Sequence, residues 1–368
     1  MAHRSRRIVH SEASLGWGGQ EHRVLAELAG FQKRGSRVWL LAPRDSRVFQ
    51  RAQAVGIPAI HFQTGRLHFP FEIIRLARWL RRNQIQILNT HSSRDGWLLG
   101  IAGRLARVPL ILRTRHIDVD YPNRRLSRHA FTTLADHVLV TSGKIKAHFQ
   151  EIFRMPDGRI SVVPTGVDLN LFSPEGSKAR LPFENSPGVP AIGMVSVLRS
   201  WKGHATFLEA ARRLLDEGIA ARFVIVGEGP IRERIKKQIA ELNLGDIVTL
   251  TGHHEDVPEI LRALDVLVIP STKHEGIPQI GLQALAAKTP VVGSDVGGIP
   301  EIIRNGETGR IVPAGDASAL AAAIRETLTE TGVTLAMTER GRAFVEAHHS
   351  LDRMLETIEA LYRRHLPS

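Results

Sequence analysis

Residues 273–303 read KHEGIPQIGLQALAAKTPVVGSDVGGIPEII, and their order decides what kind of chain this is. An acid, Glu275, stands in a Gly/Pro loop. An apolar helical segment carrying Gln283 follows, and a β-branched run, "PVVGSD", then ends in more glycine. A loop feeding a helix that feeds a short apolar strand is the unit from which parallel sheets are built. Pro278 suits the first turn of the helix, and the N–H groups between Gly276 and Ile280 suit an anion. Glu275, just upstream, offers two carboxylate oxygens to ligand hydroxyls, and Gln283 lies one to two turns into the helix.

The same alternation extends outward in both directions. Short β-branched runs recur at "RIVHS", "VWLLAP", "AIHFQ", "IQILNTH", "LILRTRH" and "HVLVTS". Between them lie helical segments such as "EHRVLAELAGFQKRG" and "FEIIRLARWLRRN", whose apolar residues fall three and four apart. After "LFSPEGSKARLPFENSPGVP", a stretch rich in Pro, Ser and Gly, the pattern restarts with "AIGMVSV", "RFVIVGEG", "IVTLTG", "VLVIPS", "PVVGSD" and "GRIVPA". The expectation is an α/β chain of two Rossmann-like parallel-sheet domains, residues 1–174 and 191–350, joined by a linker at 175–190. Residues 351–368 form an amphipathic helix expected to pack back on the first domain.

Composition narrows the function classes. The 368 residues exceed one compact core, and 43% hydrophobic with 23% charged residues is ordinary for a globular protein. The absence of cysteine removes disulfides, thiolate nucleophiles and Cys-ligated metal sites. The start, "MAHRSRRIVHSEA", has no apolar run of signal-peptide length, and no stretch reaches the roughly 18 apolar residues that span a bilayer, so the expected location is cytoplasmic. Net charge is +12, and the basic excess falls entirely in the first 176 residues. The anionic partner therefore meets the first domain. Nucleic acid is not expected, because aromatics are only 5% and no helix-turn-helix or zinc pattern is present.

In open parallel sheets, ligands bind beyond the carboxyl ends of the strands. The first such loop, "HSEASLGWGGQEH", carries Gly18 and Gly19, which let backbone N–H groups approach an anion. It is not the GxGxxG fingerprint, which speaks against a nicotinamide dehydrogenase. In "VLRSWKGHATF", Arg199 and Lys202 stand just after a strand and just before a helix, a suitable pair for a diphosphate. His91, in "NTHSSRDG", also ends a strand and is an acceptor-side candidate, as are Arg113 and Arg115 in "RTRH". His253 and His254 lack the spacing of a metal box, and "TSGKIK" is not a P-loop. Asp118 and Asp120 imitate a DxD metal motif without its context, so no metal site and no cofactor are expected.

Taken together, the segment "EGIPQIGLQALAAKTPVVGSDVGGIPEII", the Gly-rich first loop, "VPTGVDLNLFSP", "VSVLRSWKG", "FVIVGEGP", "VTLTGHHEDVPEILRALDVLVIPS" and "NGETGRIVP" closely resemble the family 4 (group 1) retaining glycosyltransferases. The resemblance covers nearly the whole chain. It implies the GT-B fold, with two domains facing across a cleft, and metal-independent transfer of a sugar from a nucleoside diphosphate sugar to an acceptor hydroxyl. By that resemblance Glu275 is the first acid of the family's E-x7-E motif and contacts the donor sugar. Gln283 replaces the second acid, which departs from the pattern and makes a catalytically impaired scaffold the alternative. Arg199 and Lys202 match the diphosphate-binding pair, and His116 matches the histidine beside the transferring sugar. Gly18, Gly19, Gly276, Ile277, Pro278, Gln279 and Ile280 fall at the donor, and Gly252 borders the base. The implied acceptor is a lipid-linked or cell-envelope glycan such as a lipopolysaccharide precursor. Arg75, Arg78, Arg81 and Arg82, on one helix, are expected to hold the protein at an anionic inner-membrane face.

Overall fold

The computed structural model describes residues 5–65, 68–116, 121, 124–181, 188–273 and 275–366. Asp118 and Asp120 lie outside the described residues. The chain divides into two compact units, one running to Gly166 and resuming at Leu351, the other comprising Val167–Ser350.

In the first unit, seven strands form one parallel sheet: β1 (Arg7–Ser11), β2 (Arg37–Ala42), β3 (Ala59–His61), β4 (Ile87–Thr90), β5 (Leu110–Arg115), β6 (His137–Val140) and β7 (Ile160–Val162), in the order β3-β2-β1-β4-β5-β6-β7. All six pairings are parallel. The apolar runs that identify these strands are buried on both faces; Ile8, Val9, Leu40, Leu41, Ile87 and Leu88 are fully enclosed. The helix Gly19–Lys33 seals one face with Val24, Leu28 and Phe31. The helix Leu351–His365 lies against it, so close that a Cβ at Gly30 would stand 2.3 Å from Leu355 Cδ1. The rings of Phe31 and Tyr362 meet at a tilt with centroids 5.3 Å apart, and Arg34 pairs with Asp352 at 2.9 Å and Glu359 at 3.5 Å.

The second unit repeats the plan with six strands: β8 (Ala191–Val195), β9 (Arg222–Val226), β10 (Val248–Gly252), β11 (Val266–Ile269), β12 (Val291–Ser294) and β13 (Arg310–Val312), all parallel, in the order β10-β9-β8-β11-β12-β13. Phe172 is buried in this unit, with Ala179 and Leu181 packed on the same core. In each sheet the strand order reverses beside the first strand, between β1 and β4 and between β8 and β11. Connections leave those two strands toward opposite faces, so their carboxyl ends frame a crevice.

Candidate active site

In the second unit, both carboxyl-end loops of the reversal point carry chemistry. The chain leaves β8 through Arg199, makes a tight turn at Ser200–Lys202, and enters the helix His204–Asp216 through Gly203. Gly203 has φ +79°, and a Cβ there would lie 1.7 Å from the carbonyl oxygen of Pro270. Only glycine permits this approach of the turn to the end of β11. The main-chain N–H of Thr272 donates to the carbonyl of Trp201 at 2.7 Å, tying the two loops together.

That tie brings Lys202 to Glu275. The ammonium lies 2.8 Å from each carboxylate oxygen, and the Ser271 hydroxyl donates to Glu275 Oε2 at 2.9 Å. Ser271 is itself held, because Ser294 at the end of β12 hydrogen-bonds its carbonyl. Glu275 is fixed from the main-chain side too: the N–H of Gly298 donates to its carbonyl at 3.3 Å, and at Gly297, with φ +59°, a Cβ would fall 1.9 Å from that oxygen. An acid and a cation separated by 73 residues thus share one spot, with the Glu275 side chain only 8% exposed. Arg199 is exposed in the same turn, its guanidinium 5.6 Å from the Trp201 ring centroid.

The helix after Glu275 begins at Gln279. Pro278 is the residue preceding it and not part of the first turn, because its ψ of 117° is extended. No side chain caps this N-terminus. Gly276, Ile277, Gln279, Ile280 and Gln283 are half-buried, and the Gln283 amide forms no hydrogen bond with a described residue. Gly252 ends β10 and lies beside the Glu228–Arg232 pair, with Glu228 Oε1 2.9 Å from where its Cβ would be. That places it two strands away from β8 in the sheet order.

In the first unit the carboxyl ends of three adjacent strands each carry a histidine: His10 on β1, His91 after β4 and His116 after β5. All three are buried, His116 retaining 9% exposure. His91 Nε2 lies 3.0 Å from His10 Nδ1, and His91 Nδ1 lies 2.9 Å from His116 Nε2. Burial pushes His10 down to about 4 and His91 and His116 well below the ordinary imidazole value, so all three rings are neutral at pH 7. Behind His10, Glu27 is held by the guanidinium of Arg23 at 2.7 Å. Sequence reading singled out His91 and His116 but passed over His10, Arg23 and Glu27. The available signal was that "RIVHS", "LNTH" and "RTRH" each end a strand in histidine.

The loop after β1 is shaped by carboxylates. Glu12 accepts from Ser14 N at 2.8 Å and from the Gln20 amide, and burial next to Asp95 raises it to about 8. Asp95 accepts from Ser11 Oγ at 2.6 Å and from the N–H groups of His91 and Ser92. Gly18 caps the helix that starts at Gly19, its N–H donating to Glu21 at 2.9 Å. Its φ of −159° is ordinary and nothing crowds it, so neither conformation nor packing calls for glycine there.

Arg113, an acceptor-side candidate, is buried at the end of β5. Its guanidinium is buried 4.2 Å from the Phe131 ring centroid and against Gly96, and burial lowers it to about 10. Arg115 is half-buried, 5.8 Å from the Tyr121 ring centroid.

Comparison with known proteins places these features. The family model described as "Glycosyltransferase Family 4" matches residues 17–171, and that described as "Glycosyl transferases group 1" matches residues 179–344. An Escherichia coli UDP-Gal:alpha-D-GlcNAc-diphosphoundecaprenol alpha-1,3-galactosyltransferase is 29% identical over 79% of this chain and 78% of its own. The lipopolysaccharide core biosynthesis mannosyltransferase LpcC of Rhizobium leguminosarum is 31% identical over 55% of this chain and 59% of its own. A glycosyltransferase structure from Rickettsia africae superposes with a TM-score of 0.87 at 22% identity, covering 99% of both chains. With one family model on each unit and the same paired parallel sheets, the chain belongs to the group 1, family 4 glycosyltransferases and has the GT-B fold.

Proposed function

We propose that this glycosyltransferase moves a hexosyl group, with retention of anomeric configuration, from a nucleoside diphosphate sugar to a hydroxyl of a lipid-linked or cell-envelope glycan such as a lipopolysaccharide precursor. The observation that carries the reading is the Lys202–Glu275 contact at the reversal point of the second sheet. Lys202 has three N–H donors and gives two to Glu275, leaving the third for a phosphate oxygen. Glu275 holds sugar hydroxyls, Arg199 holds the diphosphate from the same turn, and the uncapped helix starting at Gln279 adds its N-terminal N–H groups and dipole. As the diphosphate departs, these positive groups stabilise the growing charge, each contributing on the order of 3 kcal/mol. No enzymic nucleophile is invoked; the leaving phosphate takes the acceptor proton. Gln283 replaces an acid by an amide that both donates and accepts, which suits a ribose diol. His116 is assigned to the transferring sugar and Gly18–Gly19 to the donor phosphates.

Incubation with a panel of nucleotide sugars, with released nucleoside diphosphate as the readout, tests this. Slow hydrolysis of one donor is expected, and Glu275→Gln should reduce it about a hundredfold. Absence of turnover with every donor, alongside an intact fold, would favour the impaired scaffold.

For the acceptor side we infer an anionic membrane surface. In the helix Phe69–Arg82, Phe71 is 75% and Ile74 48% exposed, and Arg78 and Arg82 follow on the same stripe. At its last turn opens a cavity of about 700 Å³ lined by Arg7, Arg37, Arg81 and Arg107 and by no carboxylate, at the amino ends of β1 and β2 and so on the sheet edge opposite the histidines. Two of the four arginines expected to act here are tied down, Arg75 by Glu72 at 2.7 Å and Arg81 by the Leu105 carbonyl. No helix of the described residues is long and apolar enough to cross a membrane. At low salt the protein should sediment with vesicles containing anionic phospholipid and not with neutral ones. The double change Arg78→Glu, Arg82→Glu should weaken this at least tenfold, from roughly 1 kcal/mol per basic residue near the surface. Equal partition onto both vesicle types would refute the inference.

A further inference from the structure

The three histidines form a chain whose proton direction is fixed at its buried end. Each neutral imidazole has one N–H. The central ring, His91, bonds a neighbour through each nitrogen, so its single proton points either toward His116 or toward His10. Were it to point toward His10, His10 Nδ1 would have to accept, and the His10 proton would sit on Nε2. That nitrogen is buried with no partner, and an unsatisfied buried N–H is disfavoured more than an idle lone pair. On the other side, Glu27 Oε2 lies 3.8 Å from His10 Nδ1, where its negative charge favours a proton on that nitrogen. Both effects put the His10 proton on Nδ1. His91 Nε2 must then accept, His91 Nδ1–H donates to His116 Nε2, and the His116 proton is left on Nδ1. That nitrogen has no hydrogen-bond partner among the described residues.

We propose that Glu27 and His10 are positioning residues that, through His91, lock His116 as the Nδ1–H tautomer, so that it faces its ligand as a neutral hydrogen-bond donor and not as a proton acceptor. The ligand atom it suits is an oxygen with a free lone pair, such as a sugar hydroxyl, and His116 is thereby excluded as the base for the attacking hydroxyl. The other charged groups nearby are Arg23 beside Glu27, Asp95 at the start of the helix Ser93–Ala106, and Arg115 on β5. Arg23 sharpens the dependence, because without the Glu27 charge its guanidinium would repel a proton on His10 Nδ1. A cation held by His10, Glu27 and His91 is a poorer account of the cluster. The His10–His91 bond already uses the facing nitrogens, and the charge of the carboxylate is already balanced by the guanidinium bonded to its Oε1.

The inference rests on the assignment of His116 to the ligand, but its test needs no turnover. Long-range nitrogen–proton NMR on the labelled full chain, with His116 identified by loss of its signals in His116→Gln, reports the tautomer directly. The wild-type protein should show His116 at least nine-tenths in the Nδ1–H form. Glu27→Gln should shift the tautomer ratio about tenfold toward Nε2–H, and His10→Phe should abolish that response. A wild-type His116 mainly in the Nε2–H form, a ratio unchanged by Glu27→Gln, or a response surviving His10→Phe would each overturn the proposal. Should His10→Phe not fold, the first two measurements still decide. Undiminished turnover in His116→Ala would instead sink the ligand assignment and leave the tautomer result standing.

Discussion

Replacing Lys202 by alanine is expected to lower turnover by a factor of roughly 10²–10³, the usual effect of removing one preorganised group from a site of developing charge. It should also cost about 1–3 kcal/mol of folding stability, because the nearly buried Glu275 carboxylate loses two charge-assisted hydrogen bonds and keeps only the Ser271 hydroxyl. The two losses are separable. Glu275→Gln leaves no buried charge uncompensated, since the 275 side becomes neutral and Lys202, 23% exposed, reaches water. That variant should lose activity with a smaller change in the denaturation midpoint. Steady-state kinetics beside chemical denaturation would check both, and Lys202→Ala with full turnover would remove the lysine from the mechanism.

The largest effect on the fold is expected at Gly297. An alanine there must accept a left-handed backbone, which costs about 1–2 kcal/mol, and must also displace the Glu275 carbonyl, 1.9 Å from the new Cβ. A total above about 3 kcal/mol and a large loss of turnover should follow, because the residue pushed aside is the one proposed to hold the sugar. Gly306 supplies the control. Its φ of +73° is also left-handed, but nothing lies within 4 Å of a Cβ there. Gly306→Ala should therefore show only the conformational cost and keep its activity. Thermal unfolding of the two variants, side by side, separates crowding from conformation; equal losses would contradict the account.

Much of this was legible in the sequence because parallel sheets announce themselves. Strands enclosed on both faces read as β-branched runs, and twelve of the thirteen observed strands stand out that way. The exception is β7, Ile160–Val162, which is no shorter than β3 and β13 but stands between a short turn and Pro164. The loops that carry Lys202 and Glu275 were legible as well, since strand ends and helix starts are local features, and the structure brings the two side chains into contact. What could not be read was the reason for particular glycines. Gly203 and Gly297 look like any loop glycine until the carbonyls of Pro270 and Glu275 are seen beside them. His10 was hidden for a similar reason: in "RIVHS" it passes as a polar strand end, and its link to His91 spans 81 residues. The burial of Arg113 was also hidden, because a strand end does not show that Phe131 and Gly96 pack against its guanidinium.

The helix Leu351–His365 has a consequence for biosynthesis. The first unit cannot cover Phe31 until Tyr362 has been translated, although its sheet is complete once Val162 has emerged. At roughly 5–20 residues per second, the nascent chain spends on the order of ten seconds or more with that greasy stripe bare while the second unit is still being made. A chaperone that binds apolar surface on nascent chains should therefore stay longest on the helix Gly19–Lys33.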